Sequence, residues 1–255
     1  MLSGKTILVT RSKNASAEIR GLLESRGASV ICLPTIEIGE PESWKECDAS
    51  IWKLAEYDSV CFTSKNAVDK FVQRMRLIRP QALNTLATRN LYAVGEKTKS
   101  RVEANGFSVQ PIPQKHSAEN LAHLFYGQNL SGRCFLFPKS NIAHDVLPKE
   151  LRSLGASVDE IVTYRTLIPE PENFEQVRIL LKDGKIDIIT FFSPSSICNF
   201  VEMFGVEILL SVFIAVIGPT TATSAKDVGL KVSIVAQQQT AESLVEGIVE
   251  YVSAV

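Results

Sequence analysis

The sequence predicts an α/β protein of two parallel-sheet units, and three observations predict it. Short β-branched runs alternate with helix-period segments along the whole chain, as in strands joined by helical crossovers. Blocks of the first half return in the second half in the same order, the mark of an internal duplication. The two longest polar stretches, 37–57 and 167–185, each follow the same half-block.

The first run, 5–10, is β-rich; 16–26 is helical with Ile19, Leu22 and Leu23 on one side, and Gly27 sits where a helix C-cap belongs, ahead of a strand at 29–33. The stretch 37–57 holds one helix at 44–55. Next come a strand at 58–62, a helix at 66–75, a loop near Pro80, a strand at 91–94, a helix at 96–104, a short strand at 107–110 and a helix at 117–126. Strand, helix and strand return at 134–137, 143–154 and 157–162. The last third runs strand 187–192, helix 195–204, strand 212–217, helix 220–228, strand 231–235 and helix 240–252. Two segments close strands of this scheme, Leu33-Pro34-Thr35-Ile36-Glu37 and Val162-Thr163-Tyr164-Arg165-Thr166 running into Ile168-Pro169. They read as a pair of crossings between two lobes.

Gly4-Lys5 returns as Gly132-Arg133, and Gly27-Ala28-Ser29-Val30 as Gly155-Ala156-Ser157-Val158, 128 residues on. Asp58, Phe62, Ser64 and Phe71-Val72 match Asp187, Phe191, Ser193 and Phe200-Val201 at 129. Gly95, Thr98, Gly106, Val109 and Ser117-Ala118-Glu119 match Gly218, Thr221, Gly229, Val232 and Thr240-Ala241-Glu242 at 123. The six-residue slip falls in the loop at 78–90, where an insertion is cheap. The order is therefore A-B-A′-B′. Spacing leaves two divisions open: contiguous copies, or A with B′ and A′ with B. The polar stretches after A and A′ favour the second, with domains at 1–35 plus 167–255 and at 36–166 and linkers near 34–38 and 163–169.

The bulk numbers bound the function. A chain of 255 residues with 45% hydrophobic content and 22% charge has ample material for cores. With 27 basic and 28 acidic residues the net charge is −1, which opposes a nucleic-acid binder dominated by phosphate contacts. Cys32, Cys47, Cys61, Cys134 and Cys198 are scattered, never in C-x-x-C spacing, as buried thiols of a reduced compartment would be. No run approaches the ~20 apolar residues of a membrane span. The opening Met1-Leu2-Ser3-Gly4-Lys5 enters a strand without a signal segment. The expectation is a cytoplasmic protein with no membrane or nucleic-acid partner.

Small hydroxyl residues stand just after apolar strands, at helix starts: Thr63-Ser64-Lys65-Asn66, Ser193-Pro194-Ser195-Ser196, Gly95 to Thr98, and Gly218-Pro219-Thr220-Thr221, with Ser117 and Thr240 opening the last helix of each copy. In parallel sheets these places line the carboxyl edge, where ligands settle. Free N–H groups, a glycine that permits close approach and short hydroxyls suit carboxylate or phosphate. Ser and Thr are also ordinary N-caps; it is the repetition of the set that points to a ligand. Phosphate-loop, dinucleotide and nucleophile-elbow motifs are missing. Arg11-Ser12-Lys13-Asn14 takes the place of the dinucleotide glycines, and His116, His123 and His144 lack metal-ligand spacing.

Phe62-Thr63-Ser64, Val94-Gly95 with Thr98, Tyr164-Arg165-Thr166, Phe191-Phe192-Ser193-Pro194-Ser195 and Ile217-Gly218-Pro219-Thr220-Thr221-Ala222 occur in an order that resembles the uroporphyrinogen-III synthase family. The resemblance implies two flavodoxin-like parallel-sheet domains, A with B′ and B with A′, joined by two linkers around a cleft, with no cofactor and no metal. Where family members often carry an Arg after the first Thr-Ser, this chain has Lys65-Asn66. The implied substrate is hydroxymethylbilane, a linear tetrapyrrole with eight carboxylates, handed over by hydroxymethylbilane synthase to a monomer. Hydroxyl leaves ring A, ring D attacks the azafulvene at its substituted carbon, and a spirocyclic pyrrolenine rearranges to the ring-D-inverted macrocycle. Substrate supplies both electrophile and nucleophile, so protein need only fold it and donate a proton. A tyrosine, titrating at about 10 in water, carries that proton at neutral pH, and Tyr164 is the expected donor. A second reading is a non-catalytic two-lobed sensor that closes on a small anion. A third, a nucleotide-using transferase, is opposed by the missing phosphate loop.

Overall fold

The computed structural model describes residues 1–11, 15–143 and 145–254, so the Ser12-Lys13-Asn14 stretch and His144 lie outside the described residues. In chain order, β1 (Thr6–Val9), α1 (Ala17–Glu24) and β2 (Ser29–Cys32) are followed by β3 (Glu37–Gly39) and α2 (Lys45–Trp52). Then come β4 (Ser59–Phe62), α3 (Lys65–Ile78), α4 (Ala82–Ala87), β5 (Asn90–Ala93), α5 (Glu96–Glu103) and α6 (Ala118–His123). β6 (Cys134–Ser140), α7 (Val146–Ser153), β7 (Ser157–Leu167) and α8 (Phe174–Lys182) lead into the last third. That third is β8 (Ile188–Phe191), α9 (Pro194–Phe204), β9 (Phe213–Val216), α10 (Pro219–Asp227), β10 (Val232–Val235) and α11 (Ala241–Ala254).

The chain divides into unit 1, Met1–Glu37 with Leu167–Val255, and unit 2, Ile38–Thr166. Unit 1 holds a parallel sheet in the order β10-β9-β8-β1-β2; unit 2 holds one in the order β3-β7-β6-β4-β5, parallel from β7 to β5. The duplication is exact in register: Thr6 faces Ser29 in β1/β2, and Cys134 faces Ser157 in β6/β7. A charged clamp repeats too. Asp187 takes Lys5 Nζ at 3.0 Å and Thr6 N at 2.8 Å, while Asp58 takes Arg133 at 2.8 Å and Cys134 N at 2.8 Å. Each clamp ties an A-type block to a B-type block, A to B′ and A′ to B.

Side chains alternate across each sheet with period two. In β4, Val60 and Phe62 enter a core under α2 to α5, while Cys61 enters one with α6 and α7. In β1, Leu8 joins α8, α9 and α10, while Ile7 and Val9 join α1 and α11. Both faces of both sheets are covered, which is why the strands read as continuous apolar runs.

Several elements differ from the sequence expectation. The segment 107–110 is not a strand. Its bond to β5 runs from Gln110 N to Leu91 O at 2.8 Å, and Pro111 and Pro113 then lack the N–H that a ladder needs. Its counterpart β10 is free of proline and pairs with β9 at Val232, Ile234 and Val235, with a register shift between Val232 and Ile234. The loop near Pro80 contains α4, whose Ala82 and Leu86 bury at i, i+4. The polar stretch 167–185 contains α8, with Val177 and Leu181 buried at the same spacing, and 37–57 contributes β3 as well as α2. β7 does not stop at Val162 but continues to Leu167, so Tyr164 is a strand residue rather than the start of a polar crossing.

Candidate active site

In unit 2 the carboxyl edge is organised by Ser64. In extended backbone, Ser64 caps α3, its Oγ accepting from Ala67 N at 3.1 Å. The same Oγ lies 2.9 Å from Tyr164 Oη. A hydroxyl has one proton to give and two lone pairs. With one lone pair occupied by Ala67 N–H, Ser64 is able to donate to Tyr164, which leaves the phenolic proton free for a third group.

Tyr164 reaches Ser64 because of a bulge. Lys139 faces Val162, yet Ser140 faces Tyr164, so Thr163 is the extra residue of β7. Bulges re-aim side chains. Thr163 and Tyr164 are both buried although adjacent, and Tyr164 shares its core with Ile161, three residues back, as well as with Phe62 and Leu136. A regular strand would have sent Tyr164 to the opposite face from Ile161.

Gly95 and Gly218 precede α5 and α10 in fully extended backbone, φ −172° and 174°. Space, not dihedral, demands glycine. A Cβ at Gly95 would stand 2.7 Å from Cβ and Cγ of His116, and one at Gly218 would stand 3.0 Å from Gln239 Cγ. Since 95 + 123 = 218 and 116 + 123 = 239, the arrangement is duplicated. His116 and Gln239 carry no motif of their own; the repeat offset is the signal that finds them. Thr98 and Thr221 lie in the first helical turns that follow, 5% and 3% exposed. Among the described residues neither hydroxyl has a hydrogen-bond partner.

The other predicted donors act as caps. Ser193 and Ser196 form a reciprocal box at 3.2 Å each way. Ser117 accepts from Asn120 N at 3.3 Å and from its Nδ2 at 2.7 Å, and Thr240 accepts from Ser243 N at 3.2 Å. Thr63 and Ser195 are half-buried and Thr220 is exposed. Lys65 and Asn66 turn toward α5 and, with Asp69 and Lys97, line a hollow of about 420 Å³. The structure thus joins Ser64 to Tyr164, and groups Lys65 and Asn66 with Lys97 rather than with the phenol.

Residues given no role are accounted for locally. His123 packs on the Tyr126 ring at 4.7 Å between centroids. The cysteines are free; Cys47 and Cys61 are buried, Cys32 and Cys134 half-buried and Cys198 exposed. Burial pushes the Cys47 thiol up to about 12 and raises that of Cys61 as well. Among the described residues no group of three or more His, Cys, Asp or Glu is placed to hold a metal ion, and no helix is long and apolar enough to cross a membrane.

Fold and edges together define a class: a duplicated flavodoxin-like α/β protein whose carboxyl edges offer hydroxyl and amide donors, with one phenol hydrogen-bonded into the edge of unit 2. The family model for uroporphyrinogen-III synthase (HemD) matches residues 4–246. The uroporphyrinogen-III synthase of Chlorobaculum parvum is 33% identical over 247 residues, 96% of this chain and 98% of the relative. That of Synechococcus elongatus is 30% identical over 258 residues, 98% and 96% of the two chains. Among solved structures, a mutant uroporphyrinogen-III synthase from Thermus thermophilus superposes with a TM-score of 0.73 at 17% identity, covering 98% of this chain and 100% of that one. The Helicobacter pylori enzyme gives 0.63 at 19%, covering 96% and 99%. The chain belongs to the uroporphyrinogen-III synthase family, whose members are cyclising lyases of tetrapyrrole biosynthesis.

Proposed function

We propose that this chain closes hydroxymethylbilane to uroporphyrinogen III, taking the substrate's carboxylates on the carboxyl edges of its sheets. The observation that carries the mechanism is the 2.9 Å contact between Tyr164 Oη and Ser64 Oγ. Tyr164 gives its proton to the hydroxyl leaving ring A, which departs as water. Ring D attacks the azafulvene at its substituted carbon. The spirocyclic pyrrolenine then opens and recloses at the other α-carbon, loses a proton and restores the pyrrole. Substrate atoms form and break every carbon–carbon bond, so the protein's contribution is conformation and one proton transfer.

Carboxylates are assigned to the helix starts headed by Thr63, Ser64, Lys65 and Asn66, by Gly95, Thr98 and Ser117, by Ser193, Ser195 and Ser196, and by Gly218, Thr220, Thr221 and Thr240. The unpartnered hydroxyls of Thr98 and Thr221 support this most directly. The five free cysteines agree with a cytoplasmic protein, read here as a monomer that receives its substrate from hydroxymethylbilane synthase. Family membership gives the sensor reading no support.

Product analysis is the test. Hydroxymethylbilane closes by itself to the uninverted isomer, so the purified protein should turn the product to isomer III. An isomer ratio unchanged by the protein ends the proposal.

A further inference from the structure

Outside the donors already assigned, the duplication exposes an asymmetry at the centre of the unit 1 sheet. In the order β10-β9-β8-β1-β2 the winding reverses between β1 and β8. The helices that follow them pack on opposite faces, α1 with α11 and α9 with α10. The strand ends at such a reversal are where doubly wound sheets open a crevice for ligand. Arg11, two residues past β1, and Phe192, one past β8, flank it. The guanidinium lies over the Phe192 ring, 4.6 Å from its centroid. Partial desolvation lowers the Arg11 pKa and the field of Glu18 opposes that; the group stays cationic.

Unit 2 is the internal control. Arg11 corresponds to Lys139, since 11 + 128 = 139, and Cys32 to Glu160, since 32 + 128 = 160. The ladders agree: Val9 faces Cys32 in one unit and Phe137 faces Glu160 in the other. In unit 2 the cation is neutralised within the chain, Lys139 Nζ binding Glu160 Oε2 at 2.5 Å and Arg152 binding Oε1 at 2.8 Å. In unit 1 a thiol stands where the carboxylate would be. Among the described residues Arg11 has no ion pair and no hydrogen bond. A guanidinium held over an aromatic ring through its Cζ keeps its N–H donors available, and a planar fork takes a carboxylate through two bonds.

We propose that Arg11, held on Phe192 at the β1/β8 crevice, binds one carboxylate of the substrate in place of the glutamate that unit 2 supplies to itself. The identity of that carboxylate as a tetrapyrrole side chain rests on the function proposed above; the site itself does not. Two measurements separate them. Uroporphyrin I, an octacarboxylate tetrapyrrole that does not react, is titrated calorimetrically against wild type, Arg11→Ala and Arg11→Lys. Steady-state turnover of hydroxymethylbilane is then compared at low and high salt. Arg11→Ala should weaken uroporphyrin binding and raise KM by about 10-fold or more, leave kcat within about twofold, and flatten the salt dependence. Arg11→Lys, which keeps charge and loses the planar fork, should fall between. An unchanged thermal midpoint in Arg11→Ala shows that these losses are not unfolding; if that variant fails to fold, Arg11→Lys carries the test through the same two readouts. Uroporphyrin affinity and KM both unchanged, or a loss that high salt does not diminish, overturns the site. Arg11-dependent uroporphyrin binding without isomer III would instead keep the site and remove the enzymatic function.

Discussion

Replacing Tyr164 by Phe removes one oxygen and leaves the ring in place among Phe62, Leu136 and Ile161. The change therefore tests proton donation with little disturbance of the core. In the folded state it deletes the 2.9 Å bond to Ser64 Oγ, which keeps Ala67 N–H as a partner, so stability should fall by only about 1 kcal/mol. General acid catalysis contributes roughly 10²–10⁴-fold, and at about 1.36 kcal/mol per decade the barrier should rise by about 3–5 kcal/mol. Ser64→Ala acts differently. It removes the α3 cap, worth about 1 kcal/mol, and the group that orients the phenol, so turnover should fall about 10-fold, less than in Tyr164→Phe. In the Tyr164→Phe background, Ser64→Ala should cost no further kcat, because there is no phenol left to orient; its share of carboxylate binding shows in KM alone. The assay follows isomer III against spontaneous isomer I, with denaturant midpoints measured in parallel. Wild-type turnover in Tyr164→Phe removes it as the donor. Equal losses from Ser64→Ala in both backgrounds break the proposed coupling.

Gly95→Ala should destabilise by about 1–3 kcal/mol, because the new methyl meets His116 Cβ at 2.7 Å, close to backbone. Gly218→Ala should cost less, since Gln239 Cγ at 3.0 Å belongs to a flexible side chain; paired urea melts decide. Cys134 N–H and then Arg133 hold Asp58 below the usual carboxylate range, as Lys53 and then Tyr57 hold Asp159. A depressed folded pKa stabilises above the unfolded value of about 3.9 and is lost as pH falls through the folded value. Unfolding free energy should thus be flat from neutrality to about pH 5 and decline below about pH 4; Asp58→Asn should flatten that decline, and an unaltered slope counts against the clamp. Phe200→Ala should cost about 3–5 kcal/mol, since the ring packs 5.5 Å from Phe191 and 4.6 Å from Phe204 between centroids; a melt shifted by less than about 1 kcal/mol would show that this core repacks freely.

Features that depend on neighbours along the chain or on copying could be read before any folding. Buried strands show as apolar runs, helix starts show as Ser, Thr and Gly, and the duplication shows as collinear matches, so the alternating α/β scheme and the donors at its edges were legible. Short amphipathic helices hid in polar surroundings: α8 announces itself only by Val177 and Leu181, and α4 only by Ala82 and Leu86. The proline pair that strips 107–110 of its ladder was visible, but its effect depends on which strand lies beside it. The pairing of A with B′ and of A′ with B came from the fold, because spacing fits either division while the Lys5–Asp187 and Arg133–Asp58 clamps fit one. The fold alone decided that Tyr164 meets Ser64 across 100 residues. That meeting depends on one surplus residue, Thr163, which inverts the parity of β7. A bulge is fixed by hydrogen bonding to the neighbouring strand and leaves no periodicity to read.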